Sequence, residues 1–220
     1  MPARAVPFAV FIGFLALDST LASLGQGLGI DPRWWYGVRS VVVAGLLAFY
    51  WSEYAELRPT DSRAGLTDWI LAVVVGVLII VAWVMLNFSP LALGGGGGGY
   101  DPRTATGAID WRLVLVRAGG STLVVPVMEE LFWRSFLMRW IERPSFLGVS
   151  PSELGVKAIA VSAVLFGVEH TQWFAGILAG LGYAWLYIRT RNLWVAILAH
   201  AVSNGVLSWW VISQGAWGFW

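Results

Sequence analysis

Residues 124–140 read VVPVMEELFWRSFLMRW. Two carboxylates and two arginines stand here inside a run that is otherwise nearly all apolar. The run belongs to a longer apolar stretch, about residues 111–142, which exceeds one perpendicular membrane crossing of roughly 20 residues. Pro126 predicts a kink within it, so it reads as one long tilted helix or as two segments. Glu130 and Arg134 are four apart and share a helix face. Glu129 lies about 100° around the helix from Glu130 and can point elsewhere. One glutamate can therefore be held by the arginine while its neighbour faces a cavity. An ion pair that only fixes helix packing accounts for Glu130 and Arg134, but it leaves Glu129 over. Ionisable groups in a membrane helix are costly, which makes them functional candidates.

The rest of the chain supports the membrane reading. Of 220 residues, 58% are hydrophobic and 12% charged, against about 25% charged in soluble domains. Apolar runs fall at about 6–24, 36–54, 69–88, 111–142, 155–171, 174–189 and 193–213. They predict an all-α, polytopic transmembrane helix bundle of about seven to eight spans. The first run follows Arg4 and is interrupted by Asp18. It lacks a small-x-small cleavage site, so it reads as a span and not as a signal peptide. Many of the 15 tryptophans sit near run ends, as Trp34, Trp35, Trp51, Trp69, Trp111, Trp140, Trp173 and Trp194 do, in the manner of an aromatic belt. Trp83 reads as packed core. The net charge of +1 and the lack of a basic run exclude a nucleic-acid partner. With no cysteine, disulfides, thiol catalysis and cysteine metal sites are excluded too.

Residues 94–99 are six glycines that read as a flexible loop, without the lysine and serine or threonine of a P-loop. They close a first part, residues 1–100, of N-terminal transmembrane helices. Residues 101–220 form the second part. With the N-terminus inside, the inner side collects Arg4, Arg58, Arg63, Arg139, Arg143, Lys157, Arg189 and Arg191, and the outer side Arg33, Arg39, Arg103, Arg112 and Arg117. This bias predicts a cytoplasmic N-terminus.

Two further clusters fall in apolar runs. Phe166-Gly167-Val168-Glu169-His170 ends one, and His200-Ala201-Val202-Ser203-Asn204 lies within another. The chain's two histidines are both here. At roughly 1.5 Å per residue from the inner ends, Glu129 lies about 15 Å deep, His170 about 20 Å, and His200 to Asn204 about 14–20 Å. Three helices thus bring polar residues to a similar level. A carboxylate beside an imidazole can hold and deprotonate water, and imidazole and carboxamide donors can stabilise an oxyanion. Glu129 with His170 suits the first task, and His200 with Asn204 the second. Glu129, His170 and His200 could instead bind zinc, although no HExxH helix is present. Residue types alone leave metal-free water and a divalent metal both open. Glu169 has no assigned part. A proton-coupled transporter would use glutamate and histidine as relays, but the inverted repeats that would support it are not seen.

Glu129-Glu130-x-x-x-Arg134, Phe166-x-x-x-His170 and His200-x-x-x-Asn204, in this order on separate apolar runs, resemble the three motifs of the CAAX-type intramembrane proteases (type II CAAX prenyl endopeptidases and bacterial relatives). The likeness covers about residues 111–213. EELFWRSFLMRW and VEHTQWFAG further resemble the CAAX prenyl protease-related proteins found beside bacterial exosortase sorting systems. The resemblance implies an intramembrane endopeptidase in a bacterial inner membrane, with a site opening toward the cytoplasm. It implies water activation by Glu129 and His170, an oxyanion site at His200 and Asn204, and supporting positions at Glu130 and Arg134. It implies no required cofactor, or a divalent metal such as zinc. The expected partners are membrane lipid and a membrane-associated protein substrate, which need not be prenylated. A non-catalytic immunity or sorting subunit that keeps the protease fold is the alternative. No motif position is lost here, as such a subunit could afford.

Overall fold

The computed structural model describes residues 1–93 and 99–220, so Gly94–Gly98 of the glycine run lie outside the described residues. The described residues are helical, with turns between and no strand. The chain is an all-α helical membrane bundle.

The helices are α1 (Pro2–Ala16), α2 (Asp18–Gly27), α3 (Trp35–Phe49), α4 (Leu66–Met85), α5 (Trp111–Glu142), α6 (Val156–Val168), α7 (Trp173–Thr190) and α8 (Leu193–Gln214). By length and apolarity α4, α5 and α8 can each cross a membrane, and α1 with α2, bent by 63°, makes a fourth if the pair is one span. The break falls where Asp18 opens α2, a position at which a carboxylate meets the positive end of the helix dipole. The shorter apolar helices matter for the site. The 13 residues of α6 rise only about 20 Å, against about 30 Å of hydrocarbon. With Lys157 at one membrane surface, α6 stops at depth and delivers Glu169 and His170 there.

The long run of residues 111–142 is a single helix of 32 residues. Gly120–Val124 and Leu131–Leu137 are π-helical stretches within it. Pro126 cannot donate a backbone bond, and the widened turns just before it accommodate the loss.

Small residues set the close packing. A Cβ on Gly176 would come within 2.9 Å of Gly167 Cα, and one on Gly180 within 2.9 Å of Ala163 Cα. Ala163-x-x-x-Gly167 on α6 thus meets Gly176-x-x-x-Gly180 on α7, the small-residue pattern by which membrane helices approach. A Cβ on Gly76 of α4 would lie 2.5 Å from the Ala199 carbonyl oxygen of α8. Ser203 Oγ donates to the Gly76 carbonyl at 3.1 Å. Side chains such as Val73, Val77 and Leu78 on α4 and Val161, Val164 and Leu165 on α6 face outward, as lipid contact requires.

The N-terminal helices are welded to α5. Phe8 stacks on Phe132 with centroids 3.9 Å apart. Arg4 pairs with Glu56 at 2.6 Å, Glu56 accepts from Ser135, and Tyr54 donates to the Ala3 carbonyl at 2.7 Å. Burial alone would raise the Glu56 carboxyl, but its bonds from Arg4 and Ser135 hold it below the usual glutamate value.

Candidate active site

Three helix segments carry the polar residues inward. Glu129, Glu130 and Arg134 come from the middle of α5, Glu169 and His170 from the turn after α6, and His200 and Asn204 from α8. Glu130 is fully buried and bridges two partners. One oxygen accepts from His200 Nδ1 at 2.9 Å, and the other lies 3.1 Å from Arg134 Nε. Arg134 is also buried. It donates to the Gly180 carbonyl at 3.3 Å and lies over the Phe166 and Tyr183 rings at 4.4 and 5.2 Å. His200 stacks on Tyr183 with centroids 4.8 Å apart. Glu130 thus does more than pair with Arg134, since it also orients His200.

Glu129 is treated differently. It is buried, and its Oε2 has no hydrogen-bond partner among the described residues; Glu130 Oε2 has none either, but that oxygen faces the Arg134 guanidinium. The nearest ion-pair contact is His200 Nε2 at 3.9 Å. This carboxylate lines a cavity of about 420 Å³ together with Glu169, His170, His200, Ser203 and Asn204. His170 Nδ1 donates to the Phe166 carbonyl at 2.8 Å, which leaves its Nε2 lone pair free. Asn204 Nδ2 donates to the Ser121 carbonyl at 2.8 Å, in the first π-helical stretch, and keeps a second N–H.

The structure brings Glu129, Glu169 and His170 together, with one ligand atom from each within 4.8 Å of the others. This cluster contains Glu169, which sequence reasoning left without a part, and it does not contain His200, which Glu130 holds instead. Adjacent residues on a helix diverge by about 100°, but Glu169 is the residue that caps α6. Once the helix ends, neighbours can converge, and no periodicity argument reveals this. Arg39 and Arg117 were also missed. They read as outer-side cations in the sequence, whereas both line this cavity and Arg39 is buried.

The cavity extends from Glu129 toward Arg39, Arg117 and Trp220, at the end of the bundle where Arg33 and Arg103 lie and away from Arg4. With a cytoplasmic N-terminus, that end of the cavity would lie toward the outer side, and not toward the cytoplasm as the resemblance implies.

Residues 111–206 match the family model described as type II CAAX prenyl endopeptidase Rce1-like. A protein of Bacillus subtilis (strain 168) described as "Putative membrane peptidase YdiL" is 30% identical over 88 residues, covering 38% of this chain and 32% of that protein. The matched stretch thus spans about a third of that relative's length. No solved structure matches. The match covers α5 to the greater part of α8, the helices that hold every motif residue above. Over residues 111–206 the chain is thus similar to the type II CAAX prenyl endopeptidase Rce1-like family.

Proposed function

We propose that the protein is an intramembrane endopeptidase acting on a membrane-associated protein or peptide. One observation carries the reading. A buried carboxylate, Glu129, has an unbonded oxygen that faces a cavity also lined by His170, His200 and Asn204. Burying an unpaired charge is costly, so a group left in this state is a group kept for a ligand or a reaction.

In this mechanism, water sits between Glu129 and the free Nε2 of His170. Glu129 takes one proton as the water oxygen attacks the peptide carbonyl carbon. The C–N bond then breaks, and the same proton passes to the leaving amine. The oxyanion forms beside Asn204, whose second N–H can donate. His200 donates to Glu130 through Nδ1, so it offers Nε2–H to an oxyanion only as imidazolium. As neutral imidazole it would accept from water instead. Glu130 and Arg134 hold His200 and the two flanking helices in register. Glu129, Glu169 and His170 would suit a divalent cation, because two carboxylates and an imidazole with its other nitrogen bonded are a fitting donor set. Such a metal would supply Lewis acidity at the scissile carbonyl. The apolar walls, Ile79, Ile80, Val125 and Phe166 among them, fit an apolar segment, whether prenylated or not. Resemblance in EELFWRSFLMRW and VEHTQWFAG supports an exosortase-type sorting context, and the filled motif positions weigh against a non-catalytic subunit.

The experiment is cleavage of candidate membrane peptides by the reconstituted chain, with Glu129 and His170 replaced separately. Loss of cleavage in both variants is expected, and full activity in both would sink the mechanism. A chelator titration in the same assay separates metal from metal-free water. We retain a bacterial inner-membrane location with a cytoplasmic N-terminus on the arginine and lysine bias, so the cavity would open to the outer side. The chain has no cysteine, so a single Ala105→Cys reports the sidedness. Labelling by a membrane-impermeant maleimide in intact spheroplasts is expected. Labelling only after permeabilisation would reverse the orientation.

A further inference from the structure

Beside the reaction cavity lies a second one of about 470 Å³. The two share Leu15, Tyr36, Arg39, Gly99, Arg117 and Trp220. Tyr36 stands between two cations. The Arg39 guanidinium carbon lies 4.7 Å from its ring centre and that of Arg117 lies 4.3 Å from it. The two charges are thus no more than about 9 Å apart. Arg39 is 7% exposed. Its Nε and that of Arg117 have no hydrogen-bond partner among the described residues, and neither do Tyr36 OH, Trp35 Nε1 or Trp220 Nε1. All of these are donors. The carboxylate side chains lining this second cavity are those of Asp18 and Asp101, and Asp101 is bound by Arg103. Among the described residues neither lies within 4.0 Å of Arg39 or Arg117, the reach of an ion pair.

Two unpaired cations, close together in a membrane helix bundle and surrounded by unused donors, need an anion. The cavity's own carboxylates, Glu129 and Glu169, lie at its other end. Arg117 and Glu129 are on one helix, and twelve residues at 1.5 Å place them about 18 Å apart. An extended peptide covers that distance in about five residues at 3.3–3.6 Å each. We propose that Arg39 and Arg117, with Tyr36 between them, form a subsite for a carboxylate of the substrate peptide, an acidic side chain or a chain end, about five residues from the bond cleaved. The proposal rests on the peptidase reading. The opposite charges at the two ends of the cavity then fix the direction in which the substrate lies.

The test uses the full-length chain in phosphatidylcholine nanodiscs with two probes, dansyl-pentaleucine as the free acid and as the carboxamide. Binding is measured on the Glu129→Gln variant, so that hydrolysis does not intervene. The acid is expected to bind about tenfold tighter or more, the worth of one charge-assisted hydrogen bond. The preference should vanish in Arg39→Gln and in Arg117→Gln and survive, reduced, in Arg117→Lys. Equal affinity for acid and amide with both arginines intact overturns the proposal without recourse to any arginine variant. A preference that persists in both glutamine variants overturns it as well. If phosphatidylglycerol in the disc abolishes the preference, the pair serves a lipid phosphate and the peptide assignment falls. No hydrolysis by the wild-type chain beside an intact acid preference would sink the peptidase reading alone.

Discussion

The part of the bundle around Arg134 and the part facing the cavity hold the same kinds of residue in opposite states. Around Arg134 the charges meet opposite charges, although Glu130 Oε2 and Arg134 Nη1 make no hydrogen bond among the described residues. Glu130 meets both Arg134 and His200, and farther along α5 Ser135 meets Glu56, which meets Arg4. On the cavity side Glu129 Oε2 and the Nε atoms of Arg39 and Arg117 have no hydrogen-bond partner among the described residues, and Glu129 Oε2 comes only within 3.9 Å of His200 Nε2. Glu129 and Glu130 are consecutive, so composition cannot explain the contrast. It comes from what the neighbouring helices present, with the His200 imidazole of α8 hydrogen-bonded to Glu130 at 2.9 Å and reaching Glu129 Oε2 only at 3.9 Å. In the proposed mechanism the partnered part holds geometry, and the open part takes water and substrate.

The contrast can be broken or sharpened in order of expected effect. Arg134→Ala strands a buried carboxylate, which costs about 3–5 kcal/mol. Unfolding in detergent should show that loss, and a change below about 1 kcal/mol would mean the brace is not a brace. His170→Ala should reduce cleavage by about 10² to 10⁴ with the unfolding midpoint nearly unchanged, as measured by turnover and by unfolding of the same sample. A large stability loss there would place His170 with the partnered groups. Gly76→Ala forces a methyl against the Ala199 carbonyl and should cost about 1–3 kcal/mol, seen as a lowered midpoint with cleavage per folded molecule retained. The last effect, read as a pH profile, is at Glu56. Its carboxyl is held below the ordinary value, so its contribution is complete above the unfolded glutamate value of about 4.3 and is lost as pH falls through the lower folded value. Glu56→Gln should flatten the decline in stability below about pH 4.3. An unchanged acid profile would remove Glu56 from the network.

Much of this was legible in the sequence because ionisable residues in apolar runs are conspicuous. Glu129, Glu130, Arg134, His170, His200 and Asn204 all stand out, and the apolar runs all become helices. What was not legible depends on neighbours from other helices. The link from Glu130 to His200 joins residues seventy apart in the chain. Glu169 converges on Glu129 and His170 only because α6 ends at that point. Arg39 looks like a loop charge until α1 and α3 bury it against Phe11. The π-helical stretches of α5 leave no mark in apolar periodicity. The pattern around Pro126 predicts a kink, while the backbone absorbs the proline by widening its turns.

The central claim is that consecutive glutamates divide the labour, with Glu129 reacting and Glu130 bracing. The most direct measurement compares Glu129→Gln with Glu130→Gln in one reconstituted preparation, reading cleavage and unfolding together. The account predicts that Glu129→Gln abolishes cleavage while the unfolding midpoint stays or rises, and that Glu130→Gln lowers the midpoint and reduces cleavage through it. Retained cleavage in Glu129→Gln, or equal loss of stability in both, would contradict it.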